Sequence, residues 1–198
     1  MKTASRIAAL TAAALFFLGF SQAALADGPP QGMPPLKIVV VDRNGVMAAS
    51  AAGQSIMKQI QAITTQAENS LKAREAALRA EYAQFQQQAA ILSPNVKKQK
   101  AAAFEAKQRA FQADVQKQQG LIQGGLYVAR QQLLKALGPI LQKIVQERGA
   151  TMLLERGAVI WTTQQFDVSQ VALQRLNQAL PNVKVTPTPL PAGVQTGQ

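Results

Sequence analysis

The stretch AAILSPNVKKQKAAAFEAKQ, residues 89–108, interrupts a long region whose composition favours helix. About forty residues on either side consist mostly of Ala, Gln, Leu, Lys and Glu, which are strong helix formers. Pro94 disfavours helical geometry at Ser93 and lacks a backbone donor, so the first helix is expected to end there. Ser93 or Asn95 can then cap a second helix. The break predicts the tip of a helical hairpin.

The apolar residues on both sides of this break recur with helical periods. Those that follow coiled-coil spacing in the outgoing helix are Ile56, Ile60, Ile63 and Ala67. Those that recur every eleven positions in the returning helix are Phe111, Ile122, Leu133 and Ile144. An eleven-residue repeat favours nearly straight pairing of helices. We therefore predict that residues 53–137, here called the arm, form a long antiparallel coiled-coil hairpin with its tip at residues 93–95.

The segments that flank the arm carry β patterns. Residues 37–41, KIVVV, are a β-branched run that is typical of a strand. Residues 151–155 and 158–161 are short apolar runs, and the Arg156-Gly157 dipeptide between them is typical of a hairpin turn. These three strands are predicted to form one small sheet.

A helix is predicted after the strands. Asp167 followed by Gln170 resembles a capping box, which would open a closing helix over residues 168–180. Trp161 is expected in the core of the body, because large aromatic side chains contribute most by burial.

The predicted fold class is α+β, with the arm inserted between the strands of a small β body. The body comprises residues 36–52 and 138–180. Gly138-Pro139 predicts a kink at about Leu137, where the arm would meet the body. Three strands and one helix leave open sheet edges and a small core, so we expect the body to be stabilised by oligomerisation.

Three glycines lie within the returning helix of the arm, and each costs about 1 kcal/mol relative to Ala. They are Gly120, Gly124 and Gly125. Two interpretations stay open: a flexible hinge, or a close approach of the two helices of the arm.

The two termini differ from the rest of the chain. Residues 1–26 have basic residues, an apolar run over residues 7–20 and an Ala-Leu-Ala cleavage pattern, and are predicted to be a signal peptide. An uncleaved anchor is the alternative interpretation. Residues 27–35 are predicted to be a disordered lead-in, and the Pro-rich residues 181–198, here called the tail, are also predicted to be disordered.

The composition of the chain excludes several classes of function. The chain has no Cys and no His, which excludes thiol nucleophiles, His-based triads and the usual zinc sites. Its carboxylates show no paired spacing for acid–base catalysis, and no phosphate-binding glycine fingerprint occurs. We expect no enzyme activity, no catalytic residue, no metal and no cofactor. After removal of residues 1–26 the chain has 19 Lys and Arg against 10 Asp and Glu, which predicts attraction to anionic partners.

The order of these motifs resembles the OmpH/Skp family of periplasmic chaperones. The stretches that carry the resemblance are KIVVVD (37–42), SAAGQS (50–55), the Ala, Gln and Lys-rich arm, GATMLLE (149–155), AVIW (158–161) and DVS (167–169). The match spans residues 36–185. Each motif alone is weakly specific, whereas their order around a long hairpin and behind a signal peptide is specific.

The resemblance implies a homotrimer in the periplasm of a Gram-negative bacterium. The strands of the three copies would combine into a β-barrel-like body, and the three arms would enclose a cavity. Family members hold unfolded outer-membrane proteins in that cavity without ATP. This sequence departs from the family pattern at Arg43-Asn44-Gly45, where a helix-compatible stretch is more usual, and in the three glycines of the arm.

Three sets of candidate residues follow. The side chains expected to face a client protein are Tyr82, Phe85, Phe104, Lys107, Arg109 and Phe111. Those expected to bind anionic lipid or lipopolysaccharide at the tip are Lys97, Lys98 and Lys100. Those expected in the trimer contacts of the body are Val39, Val40, Val41, Leu153, Leu154 and Ile160. Residues 53–148, which are the arm and the segment that follows it, carry a net charge of +8, so most of the positive charge lies in this part of the chain.

Other functional classes stay open at this point. A coiled-coil scaffold of the cell envelope would have the same arm and no client. Binding of anionic lipid would use the basic tip, although tip lysines can also be merely solvated. Nucleic acid is not expected as a partner, because the basic stretch lacks the aromatic and Arg stacking surface of such proteins.

Overall fold

The computed structural model describes residues 35–194. The predicted signal peptide, all but the last residue of the predicted lead-in, and residues 195–198 of the tail lie outside the described residues. Within that range no helix is long and apolar enough to cross a membrane.

The described part of the chain is mostly helical, with one small two-stranded sheet. In chain order its main elements are β1 (Ile38–Val41), α1 (Arg43–Ala49), α2 (Ala51–Gln88), α3 (Pro94–Glu147), β2 (Met152–Glu155) and α4 (Ser169–Ala179). Two short 3₁₀ turns, Arg156–Ala158 and Gln164–Phe166, lie between β2 and α4. The two strands are parallel, with Ile38 opposite Met152 and Val41 opposite Glu155. The predicted break at Ser93-Pro94 is confirmed, since α3 begins at Pro94.

The carboxylate of Asp42 caps the start of α1, directly after β1. The Asp42 side chain accepts a hydrogen bond of 2.7 Å from the backbone N–H of Gly45, which satisfies one of the unpaired donors at the start of the helix. Arg43, Asn44 and Gly45 are therefore helical, and this departure from the family pattern leaves the helix intact.

A buried serine joins α1 to α2. The Ser50 hydroxyl donates to the carbonyl of Met47 at 2.8 Å and accepts from the backbone N–H of Gly53 at 3.0 Å, so it ends one helix and caps the next. A Cβ at Gly53 would collide with the Met47 carbonyl, which explains the glycine at this position.

The core of the body lies between β1, α1, the last turns of α3 and α4. Its buried apolar residues are Val39, Val41, Val46, Leu137, Leu141, Ile144, Val168, Ala172 and Leu176. The predicted closing helix is present, and Leu176 is its most buried leucine. Helix α3 continues through Gly138 and Pro139 into this core, so the chain does not break where the arm meets the body.

The predicted third strand and its hairpin are wrong. After β2 the chain forms a 3₁₀ turn at Arg156–Ala158, and residues 159–163 pair with no strand of the described chain. The free edge of β1 is already used, because the Val40 carbonyl accepts a 2.8 Å hydrogen bond from the Val168 N–H. The prediction that Trp161 lies in the core is also wrong, since its side chain is 78% exposed.

Asp167 fixes the entry into α4, although not through the predicted capping box with Gln170. Its carboxylate accepts a 2.8 Å hydrogen bond from the Ser169 N–H and pairs with the Arg156 guanidinium. Burial on its own raises the pKa of Asp167, but the hydrogen bonds from Ser169 and the nearby Arg156 outweigh it, so the pKa lies below its usual range. The Ser169 hydroxyl in turn accepts from the Asp42 N–H at 2.9 Å, which ties α4 to the end of β1.

The prediction of a disordered tail is wrong for residues 181–194. Val183 is 3% exposed and Val185 is 6% exposed, and both pack at the base of the arm between α2 and α3. The apolar residues that bury them are Ala52, Ile56, Ala129 and Leu133. The Pro-rich composition led to the wrong prediction. Burial of two valines stabilises the ordered tail, and the prolines lower the conformational entropy that the tail loses on ordering.

The tail also explains two of the three glycines in α3. A Cβ at Gly124 would collide with the backbone of Thr188, and a Cβ at Gly125 would lie 2.7 Å from the Thr186 carbonyl oxygen. Gly120, in contrast, has nothing within 4 Å of an added Cβ. Neither a hinge nor a close approach of the two arm helices accounts for Gly124 and Gly125; the tail does.

We predict opposite effects for two alanine substitutions in the same helix. Gly120→Ala should raise the free energy of unfolding by about 1 kcal/mol, because alanine is the better helix former and the added methyl group meets no obstacle. Gly124→Ala should gain no such stability and should release the tail, because the methyl group occupies the place of the tail backbone. Urea denaturation measures the first effect, and limited proteolysis within residues 181–194 measures the second. Equal protease resistance of the tail in both variants would contradict this assignment.

Candidate functional site

The two long helices pack side by side with opposite directions. Arg74 of α2 pairs with Asp114 of α3, and nearer the tip Glu81 pairs with Lys107 at 2.6 Å. Along α2 the partners therefore move backwards along α3, as an antiparallel pair requires. These ion pairs are exposed, so each contributes little to stability, but together they fix which residues lie opposite each other.

Four aromatic side chains lie together near the tip of the arm, in a groove between the helices. They are Tyr82, Phe85, Phe104 and Phe111. The groove is open to solvent and has a volume of about 830 Å³. The rings of Tyr82 and Phe104 are 5.2 Å apart between centroids, and Tyr82 remains 46% exposed.

The groove exists because two helices cannot bury large side chains between them completely. A helix in a globular domain covers its apolar face with several neighbours, whereas in the outer part of the arm, beyond the tail, each helix has one. The other groove-lining groups include Gln86, Gln108 and Gln112, which are neutral and can donate and accept hydrogen bonds. The lining also includes the charged side chains of Glu75, Arg79 and Glu105, so the groove offers apolar contacts beside polar and charged groups.

The two basic residues predicted to face a client do not join the aromatic groove. Lys107 pairs with Glu81 and lines a smaller depression of about 250 Å³ that also includes Phe111. Arg109 is exposed and lies 3.8 Å from Glu105 on its own helix. The structure thus brings the four predicted aromatic residues together and leaves Lys107 and Arg109 outside.

The three tip lysines lie in the first turns of α3. Among the described residues none of Lys97, Lys98 and Lys100 forms a salt bridge, and Lys100 makes only a long hydrogen bond of 3.4 Å to the Gln88 side chain. Positive charge is unfavourable at the N-terminal end of a helix, where the backbone dipole is also positive. The tip therefore has a concentrated positive charge that does not serve helix stability.

The residues predicted for trimer contacts divide into two groups. Val39, Val40 and Val41 are buried within the chain itself, and Leu153 and Leu154 are partly buried. Ile160 alone is fully exposed. Sequence reasoning missed its neighbour Trp161, because an aromatic residue in a core and one on an exposed face look the same in a sequence.

A cavity of about 650 Å³, lined by both polar and apolar groups, lies in the body between α1, α4 and the segment that precedes α4. Its lining includes Asp42, Arg156, Thr163 and Asp167. Both carboxylates already accept hydrogen bonds from backbone N–H groups. Across residues 35–194 no group of three or more His, Cys, Asp or Glu side chains could hold a metal ion.

Comparison with known proteins places the chain in a family. The model of the family described as "Outer membrane protein (OmpH-like)" matches residues 37–176, and the chain therefore belongs to the OmpH-like family. Among solved structures, the fold is similar to that of a putative outer membrane chaperone (OmpH-like) from Caulobacter crescentus CB15. The TM-score is 0.74 at 19% sequence identity, over 80% of this chain and 94% of the other. A search of curated proteins finds no match.

We predict that the aromatic groove binds unfolded polypeptide. Tyr82→Ala combined with Phe104→Ala should weaken the binding of an unfolded outer-membrane protein about tenfold, because two large apolar contacts are lost. Phe166→Ala, which removes an exposed aromatic ring from the body, is the matched control and should leave binding unchanged. Fluorescence anisotropy of a labelled, urea-unfolded barrel protein measures the affinity. Similar affinities for both variants would show that the groove is not the binding surface, provided that circular dichroism shows intact helices.

Proposed function

We propose that this protein is an ATP-independent holdase chaperone of the periplasm, which binds unfolded outer-membrane proteins between basic helical arms and prevents their aggregation. The observation that carries the proposal is the cluster of four partly exposed aromatic side chains on the outer part of the arm, where residues 57–123 include no buried residue. Membership of the OmpH-like family and the fold shared with a chaperone of that name support it.

The chemistry of the arm suits a client without fixed structure. An unfolded chain that bound in one rigid pocket would lose much conformational entropy, whereas many weak apolar and hydrogen-bonding contacts leave it mobile. The groove offers aromatic faces and glutamine amides, and the net charge of +8 over residues 53–148 attracts acidic clients over longer distances. Release then follows from folding of the client, which buries the apolar residues that the groove had bound.

The holdase is proposed to be a homotrimer. One edge of β2 is unpaired within the described chain, and Ile160 and Trp161, which follow β2 in the chain, are exposed. An open strand edge next to exposed apolar side chains favours association with further copies. In the trimer the strands of three copies would form the barrel-like body, and the three arms would enclose the client.

Shortening the arm tests the proposal against a purely structural role. Residues 73–116 are replaced by a short Gly/Ser linker, which removes the aromatic groove and the tip. The shortened chain keeps Leu71 and Gln118, which lie beside Pro187 of the tail, so the base of the arm is retained. We expect a protein that self-associates as the parent does and no longer prevents a barrel protein from aggregating on dilution from urea.

Two measurements make this test decisive. Mass measurement reports the oligomer, and the fluorescence of Trp161, the single tryptophan, reports the environment of the body. A shortened chain that protects the client as well as the parent would exclude the arm as the binding surface. A parent chain that protects no client would favour the coiled-coil scaffold.

The unpaired lysines of the tip support a second candidate function, contact with anionic lipid or lipopolysaccharide. Replacing Lys97, Lys98 and Lys100 with Gln should weaken binding to anionic vesicles at low salt, and the difference should shrink near 0.15 M salt, where exposed charges are screened within about 8 Å. Vesicle co-sedimentation measures binding. Lys58→Gln, Lys135→Gln and Lys143→Gln together are the matched control, because these exposed lysines lie far along the chain from the tip. Equal binding by the tip variant and the parent would leave these lysines as merely solvated groups.

A further inference from the structure

The tail is held at the base of the arm as an extended peptide, mainly through its backbone. The Gln59 side chain donates to the Val183 carbonyl at 2.7 Å and accepts from the Val185 N–H at 2.9 Å. One amide thus pairs with a carbonyl and an N–H two residues apart, which an extended segment presents on the same side. This contact depends on the backbone and would be available to other sequences.

Over residues 183–185 the side chains of the tail alternate between buried and exposed. Val183 and Val185 are buried in the cleft between α2 and α3, and Lys184 between them is exposed. The cleft therefore accommodates branched apolar side chains at the positions of Val183 and Val185, and it leaves the residue between them in solvent.

The contact continues along α3 toward the tip. Gly124 and Gly125 allow the tail backbone to lie directly on the helix, and the Thr188 N–H donates to the Leu121 carbonyl at 3.0 Å. Here too the recognised group belongs to the backbone. We use the name tail groove for the surface formed by Gln59, the apolar residues around Val183 and Val185, and the glycine pair.

The tail has few side-chain anchors in this groove: Val183, Val185 and the Asn182 amide, whose oxygen accepts a 2.6 Å hydrogen bond from the Ser55 hydroxyl. Its large buried side chains are two valines, and among the described residues Lys184 forms no salt bridge. Ordering a peptide segment costs conformational entropy at every residue, which opposes these contacts. A segment with the same alternation can therefore compete for the site.

We propose that the tail groove is a binding site for extended polypeptide with branched apolar residues at alternate positions, and that residues 182–190 occupy it until such a segment arrives. The identity of the competing segment rests on the proposed holdase function. Strands of outer-membrane barrels alternate between apolar residues that face lipid and polar residues that face the lumen. That is the pattern of Val183, Lys184 and Val185.

The experiment uses the full chain with the double substitution Val183→Asp and Val185→Asp, which removes the two anchors and leaves the groove intact. A fluorescently labelled peptide with the sequence of residues 181–194 is titrated against it, and anisotropy is measured. We expect saturable binding to the double variant and binding at least about tenfold weaker to the parent, whose groove is occupied. Lys184→Asp, which places the same charge at the exposed position, should behave as the parent does.

A further substitution identifies the site. Gln59→Ala in the double variant should weaken peptide binding about fivefold, because two backbone hydrogen bonds are lost. A scrambled peptide with the two valines adjacent should bind more weakly than the native one. Absence of binding to a folded double variant, or binding that Gln59→Ala does not change, would overturn the proposal.

A measurement on the parent chain covers the case in which the double variant does not fold. Hydrogen exchange of the Val185 amide should accelerate when an unlabelled peptide from a barrel strand is added, since that amide loses its bond to Gln59 on displacement. Unchanged exchange at saturating peptide would count against the site. The outcome is separable from the holdase proposal: peptide binding without protection of a client refutes the holdase alone, and protection without peptide binding refutes the tail groove alone.

Discussion

The parallel pairing of β1 with β2 determines the rest of the fold. Parallel strands need a long connection, and here the connection contains α1, α2 and α3. The outgoing helix starts where β1 ends, and the returning helix must reach the start of β2, where the Thr151 N–H donates to the Lys37 carbonyl at 2.8 Å. Two helices that leave and return to one place must reverse once, and Ser93-Pro94 supplies the reversal. The chain therefore has a compact body and a long arm exposed to solvent.

The exposure of the arm gives its residues their properties. Because each helix has a single neighbour in the outer part of the arm, aromatic side chains between the helices stay partly accessible there. Ion pairs such as Glu81–Lys107 set the register without contributing much stability. In a compact domain the same aromatic residues would be core. The surface proposed to bind unfolded chains thus consists of ordinary core-type residues on an element too thin to bury them.

The sequence predicts the elements that depend on local patterns. The first strand, the two long helices, the break between them and the closing helix follow from β-branched runs, helical periods and one proline. The four aromatic residues expected to face a client lie together in one groove, and their contact with a client stays a prediction. The third strand and the core position of Trp161 were wrong. Two apolar runs around a turn dipeptide resemble a hairpin in sequence, but Arg156–Ala158 form a 3₁₀ turn and the residues after it do not pair with β2. The tail was misjudged because composition averages over a segment, whereas two valines at the right spacing decide its position.

The glycine pair of α3 also constrains how the sequence can change during evolution. Gly124 and Gly125 are unfavourable in a helix and are tolerated because the backbone of the tail lies against them. A related chain that ends soon after α4 would have no such constraint, and alanine would be the better residue at both positions. The tail and the two glycines should therefore have been gained or lost together during divergence. In related chains we expect the length of the C-terminus to covary with the residues at these two helical positions.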